Sequence, residues 1–273
     1  MKIERPVLGA ITLLVFVVSL LPVPVLIWMS LFNQSYLVVP PRDGYTLDWY
    51  LQLPMQTELF SGLTYSLALG AWTAVISTVL GVLAAFGVRL GATKRSGLVE
   101  NLMTLPLTVP NVVLSMALYI FLFRLGDMVG LSLIGNFYSL LAGHVLITLP
   151  WTFRLASAGV LGLSEDLERA SLDLGRSRIQ TFFRISLPLL KPAVFSSAML
   201  AFIFSFGNLE ISLFLVAPGK TTLPVAMMQY VETRLDPTVA AMAVVQLALI
   251  VVLLALANKL FGFGRTFTGG LKQ

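Results

Sequence analysis

Six long stretches poor in charge dominate this chain, at roughly residues 6–32, 63–88, 98–123, 139–160, 192–216 and 239–260. About 20 apolar residues in helical form cross the hydrocarbon core of a bilayer, and each stretch reaches that length. Hydrophobic residues make up 57% of the 273 positions and charged ones 11%. Soluble domains carry about 25% charged residues, so water is the wrong solvent for this surface. The expected architecture is an all-α membrane protein, one transmembrane domain over residues 1–273 with six helical spans.

The first stretch follows Lys2 and Arg5, as a signal peptide would. Its apolar core exceeds a signal h-region of about 7–15 residues, and no small-residue cleavage site closes it. It is read as an uncleaved span kinked at Pro22 and Pro24. With the N-terminus in the cytoplasm, six spans return the C-terminus there. Fourteen basic residues then lie inside: Lys2, Arg5, Arg89, Lys94, Arg95, Arg154, Arg169, Arg176, Arg178, Arg184, Lys191, Lys259, Arg265 and Lys272. Four lie outside: Arg42, Arg124, Lys220 and Arg234. The positive-inside rule selects this orientation. It also accounts for the +5 net charge without a nucleic acid partner.

Residues 161–191 form the longest inner loop, and their pattern is helical. Ser164 is placed to cap a helix whose first turn holds Glu165 and Asp166. Leu167, Ala170, Ser171 and Leu174 share one face by their i, i+3, i+4, i+7 spacing, while Glu168, Arg169 and Arg176 point elsewhere. Gly175 suits a left-handed helix end, and Ser177 suits the cap of a second short helix with Ile179, Phe182 and Phe183 on its apolar side. Pro188 and Pro192 lead into the fifth span. A membrane-surface amphipathic loop is the plain alternative. Small side chains, however, fit a protein groove better than lipid, which favours large apolar groups.

The run Arg169-Ala170-Ser171-Leu172-Asp173-Leu174-Gly175, nine further residues, then Ile185-Ser186-Leu187-Pro188, resembles the EAA loop of ABC-importer permeases. That pattern is Glu-Ala-Ala, three residues, Gly, nine residues, then Ile-x-Leu-Pro. Arg169 departs from it, standing where the family keeps a glutamate, with Glu168 one position earlier. Ser30-Leu31-Phe32-Asn33, Trp49-Tyr50, His144 with Leu149-Pro150, and Thr222-Leu223-Pro224 look like the spermidine/putrescine branch. The resemblance covers roughly residues 30–260.

It implies the type I importer fold, with residues 161–191 as a coupling helix seated in an ATPase cleft. Glu168, Arg169, Ala170, Ser171, Gly175, Ile185, Leu187 and Pro188 are the implied coupling residues. The implied partners are a second permease subunit in a heterodimer, two ATPase subunits that use ATP and Mg, and a periplasmic substrate-binding protein. No cofactor binds this chain directly. The implied location is the bacterial inner membrane, and the implied cargo is a polyamine or a related amine-bearing or cationic solute.

Glu210 lies within the fifth apolar stretch, where an acid is costly and marks a cavity or a partner. With Asn208 and Asn111 it forms the candidate substrate path; either asparagine alone equally suits helix–helix hydrogen bonding. Related permeases tend to carry paired acids where Gly207-Asn208 stand, and a glutamate where Asn111 follows Pro110. Their loss favours a less charged cation or a zwitterion. His144 suits a hydrogen bond between helices. Ser66, Gly70, Ala74 and Thr78 form a close-packing stripe.

Other chemistry lacks its parts. Gly219-Lys220-Thr221 resembles the end of a P-loop, but Phe214 replaces the first glycine. Gly162-Leu163-Ser164 starts a nucleophile elbow that Asp166 breaks. With one histidine and no cysteine, no metal cluster or triad can be assembled. An ion-coupled secondary transporter is the competing function, but it calls for internal repeats and broken midplane helices, neither of which the sequence displays.

Overall fold

A computed structural model describes residues 4–34, 39–91, 96–216 and 219–261. Lys2, Lys94, Arg95, Arg265 and Lys272 of the basic set lie outside them. The described residues are helical almost throughout, with one isolated bridge between Phe32 and Tyr45. Five helices are long and apolar enough to span a membrane, six if a bent pair counts as one span.

By its internal contacts the chain divides into two compact units, residues 1–60 with 226–252 and residues 61–225 with 253–273. In the first, α1 (Glu4–Leu20) and α2 (Pro22–Met29) make one span, interrupted at Leu21 beside the expected prolines. Its apolar side chains are exposed from Val7 through Leu20. The segment after it folds back on the end of that span. Trp49 donates its indole N–H to the Phe32 carbonyl at 2.7 Å, and Ser30 and Tyr50 share a hydrogen bond of 2.5 Å. These contacts seat α3 (Asp48–Gln52).

The second unit is built on α4 (Thr57–Arg89), α7 (Phe137–Leu161) and α11 (Lys191–Phe206). At 1.5 Å per residue, the 33 residues of α4 run about 50 Å, well beyond a hydrocarbon core. Small residues bring these helices together. Ser66, Ala74 and Thr78 are buried, and Gly70 faces the Phe202 ring, as the stripe predicts. Val82, Ala85 and Phe86 of α4 pack with Phe153, Ala156 and Val160 of α7 and with Leu190. Farther along, Leu69, Leu140 and Ile147 pack with Ile211 and Leu215.

Polar rungs run through this apolar packing. Ser77 and Thr148 are 2.7 Å apart, and Thr152 donates to the Ser77 carbonyl at 2.8 Å. In a membrane such pairs remove the cost of bare hydroxyls and fix the rotation of each helix.

Three expectations need correction. The third stretch is not one span. It divides into α5 (Ser96–Thr104), a 3-10 turn over Leu105–Thr108, and α6 (Asn111–Val129). Pro110 forces Val109 into extended backbone (ψ 131°), which breaks the helix there. The fifth stretch is also interrupted. α11 stops at Phe206, and α12 (Glu210–Leu215) restarts after Gly207-Asn208-Leu209. A broken helix therefore exists in this chain, although local pattern gave no sign of one. Finally, the segment between the last two spans contains an unforeseen helix, α13 (Leu223–Thr233). The last span is α14 (Thr238–Phe261).

Candidate coupling knob and translocation path

The loop after α7 folds into a compact knob. α8 (Glu165–Asp173) has Glu165, Asp166 and Glu168 in its first turn, where the helix dipole favours acids. Ser164 occupies the cap position with extended backbone, but its hydroxyl makes no cap hydrogen bond, contrary to expectation. The end of α8 follows expectation closely. Gly175 takes φ +82°, and its N–H reaches the Leu172 carbonyl at 2.8 Å. The Arg176 N–H reaches the Ser171 carbonyl at 3.3 Å, which completes a Schellman closure.

α9 (Arg178–Thr181) begins with a capping box. The Gln180 N–H donates to Ser177 Oγ, and the Ser177 N–H donates to Gln180 Oε1. A π turn over Phe182–Ser186 and the single turn α10 (Leu187–Leu189) carry the chain to an elbow of 71° before α11. A buried Ser171–Thr181 hydrogen bond of 2.9 Å closes the two arms. Phe182 meets Phe86 of α4 edge to face at 4.8 Å.

The helical face expected from the spacing is divided. Ser171 turns inward, while Leu167 (51% exposed), Ala170 and Leu174 (82% exposed) face outward. Glu168 also turns inward. Its carboxylate meets Arg89 at 3.2 Å and accepts from Ser186 Oγ at 2.6 Å. Arg169, the next residue, points in another direction. Arg169 pairs with Glu165 at 2.7 Å, both exposed. Ile185 and Leu187 are half-buried, and Pro188 is exposed. Sequence reading missed Arg89 and Ser186. The only trace of this contact was a basic residue closing a span and an acid inside the next inner loop.

The break in the fifth span positions the candidate path residues. Gly207 weakens the helix, and Asn208 restarts it by accepting the Ile211 N–H on Oδ1 at 2.8 Å. The Asn208 amide also donates to Glu210 Oε2 at 3.0 Å, so these two form one unit. Asn111 opens α6 with an exposed side chain, and the hydrogen bonds of Asn208 and Glu210 do not extend to it. His144 bridges the break, with Nδ1 at 2.8 Å from Ser205 on α11 and Nε2 at 3.2 Å from Ser212 on α12. Ser205 in turn donates to Thr73 of α4 at 3.3 Å. The interhelical role expected of His144 is met, and it holds together both halves of a broken span.

The second unit thus holds packed membrane helices, one of them broken and tied by His144, with a folded knob between α7 and α11. The comparisons are specific. The chain belongs to the family of binding-protein-dependent transport system inner membrane components, whose model matches residues 77–262. It is 30% identical over 213 residues to the putrescine transport system permease protein PotI of Escherichia coli (strain K12), covering 78% of this chain and 75% of that one. It is 26% identical to the spermidine/putrescine transport system permease protein PotC of the same strain, over 97% of both chains. In fold it resembles a bacterial ABC transporter involved in the import of the acidic polysaccharide alginate. The TM-score is 0.72 at 15% identity, over 95% of this chain and 98% of that one. This chain is thus a permease subunit of an ABC importer.

Proposed function

We propose that this permease carries an amine-bearing solute, a polyamine or a smaller relative, inward across the bacterial inner membrane, driven by ATPase subunits that dock on the knob. The outward apolar patch of Leu167, Ala170 and Leu174 carries this reading. It lies along α8, which a Schellman closure at Gly175 and the Ser171–Thr181 hydrogen bond hold against the capped α9, so the patch has a firm support to be pushed on. The knob and the end of α4 share one face, which also bears Arg169, Arg176, Arg178 and Arg184. The positive-inside rule makes that face cytoplasmic, and with it both termini.

In this reading a second, different permease subunit completes the path. A periplasmic protein delivers the solute, and ATP and Mg stay on the two ATPase subunits. The amine preference rests on the names of the relatives and on Glu210, an acid in a membrane segment. The test is reconstitution with the ATPase and binding-protein partners, followed by uptake of radiolabelled putrescine. ATP-dependent uptake is expected. Uptake that persists without ATPase and collapses with an ion gradient would instead identify an ion-coupled carrier.

In the same assay Glu210→Gln should weaken the apparent affinity for putrescine about tenfold, the worth of one charge-assisted hydrogen bond. Unchanged affinity and rate would remove Glu210 from the path.

A further inference from the structure

Arg89 is the last residue of α4, and Glu168 sits in the first turn of α8. Arg89 Nη2 lies 3.2 Å from Glu168 Oε2, and Nη1 donates to Oε1 at 3.4 Å. Nη2 also reaches the Leu163 carbonyl, in the turn between α7 and α8, at 3.4 Å. Ser186, at the end of the π turn, donates its hydroxyl to the same Oε1 at 2.6 Å. The two charged side chains are 14% and 20% exposed, so water and salt screen the pair little. One carboxylate thus gathers the end of the longest span, both arms of the knob, and the turn that leads into α11. π turns recur at functional sites because they re-aim the side chains around them.

The neighbourhood leaves this pair as the main polar tie. An open pocket of about 240 Å³ borders it, lined by Glu168, Ser186, Thr181 and Arg178 as well as by apolar side chains such as Phe86 and Phe182. Phe182 meets Phe86 at the edge of the buried cluster that Leu190 also joins, so the contact between knob and α4 there is otherwise apolar and non-directional. Beside these apolar contacts, the Arg89–Glu168 pair is the directional link between the knob and α4. α4 in turn meets α7 closely at Gly81 and Thr152.

We propose that Arg89 and Glu168 are positioning residues that transmit ATPase motion from the knob to α4, and that Glu168 acts within this chain rather than on the ATPase. This rests on the reading that the knob docks on the ATPase. The pair separates two events the knob must perform: docking, by the outward patch, and pulling, by the inward carboxylate.

The test uses the whole importer in proteoliposomes with its ATPase and binding-protein partners. It reads ATPase retained on the complex, ATP hydrolysed, and radiolabelled putrescine taken up. Arg89→Gln and Glu168→Gln should keep the ATPase bound and hydrolysing. ATP spent per solute should rise about tenfold, within the usual range of a lost coupling term. Arg89→Lys, and the reversed pair Arg89→Glu with Glu168→Arg, should restore the ratio in large part. A purely structural pair would lower hydrolysis and uptake together and leave the ratio unchanged.

An unchanged ratio in both single variants would overturn the proposal. So would loss of the ATPase from the Glu168→Gln complex, which would place that carboxylate in the docking surface. So would an assembled reversed pair that remains uncoupled. Leu174→Arg serves as the separate control. If it leaves ATPase binding and uptake intact, the docking reading fails. If it abolishes them while the Arg89 and Glu168 variants behave as wild type, only the link fails.

Discussion

Replacing Gly81 with leucine should prevent this permease from accumulating as a folded protein. A Cβ at Gly81 would lie 2.6 Å from Thr152 Oγ1 and 2.9 Å from the Phe153 backbone nitrogen. A hydroxyl can rotate away, but a helix backbone cannot. Leucine would push α4 off α7 and open the cluster of Val82, Ala85, Phe153 and Ala156. It would also pull apart the Thr152–Ser77 and Ser77–Thr148 hydrogen bonds. Overpacking of this kind costs about 3 kcal/mol or more where neighbours cannot yield. Close contact of small residues is also a main force that holds membrane helices together. The check is the melting temperature and membrane level of the detergent-purified chain. Gly87→Leu serves as the control, because a Cβ at Gly87 meets nothing within 4 Å. It should melt as the wild type does, while Gly81→Leu should not.

Leu174→Arg should do the reverse, leaving the chain's own stability intact and removing its activity. Leu174 is 82% exposed, so arginine there disturbs no internal packing. The knob's closure runs through backbone groups, from the N–H of Leu174, Gly175 and Arg176 to the carbonyls of Ala170, Leu172 and Ser171, and a side-chain change leaves these in place. If the outward patch sits in an ATPase groove, however, a buried guanidinium without a partner is costly. Loss of a central apolar anchor is worth about 2 kcal/mol, roughly thirtyfold in affinity. The purified permease should melt normally while the ATPase fails to copurify and uptake disappears. An ATPase that stays bound at wild-type strength would exclude the patch from the interface.

Much of the architecture was legible from local rules. Bilayer thickness made the long apolar stretches visible as helices. The Gly175 end and the Ser177 cap could be named because each depends on residues within one helical turn. What escaped depends on residues far apart in sequence or on competition within a continuous apolar run. The runs around Pro110 and Gly207-Asn208 looked unbroken because hydropathy is blind to backbone hydrogen bonds. Only the geometry reveals Val109 extended before Pro110, or Asn208 capping Ile211.

The inward turn of Ser171 and Glu168 escaped for a different reason. Spacing placed Ser171 with the outward residues of α8, but its partner Thr181 lies on the second arm, and the partner of Glu168 lies 79 residues away on α4. The sequence motif therefore marked a folded loop but not which of its residues face outward. Glu168 points into the chain toward Arg89, and Arg169 points away from it.

The docking claim can be tested directly because the chain contains no cysteine. Leu174→Cys introduces a single thiol, and a short thiol-reactive photocrosslinker on it reports what lies within reach in the assembled importer. Crosslinking to the ATPase is expected, in a yield that changes when ATP binds. The same crosslinker at Phe121, an exposed apolar position on α6, should not capture the ATPase. If Leu174→Cys labels only lipid, or captures the ATPase no better than Phe121→Cys does, the knob is not the docking surface.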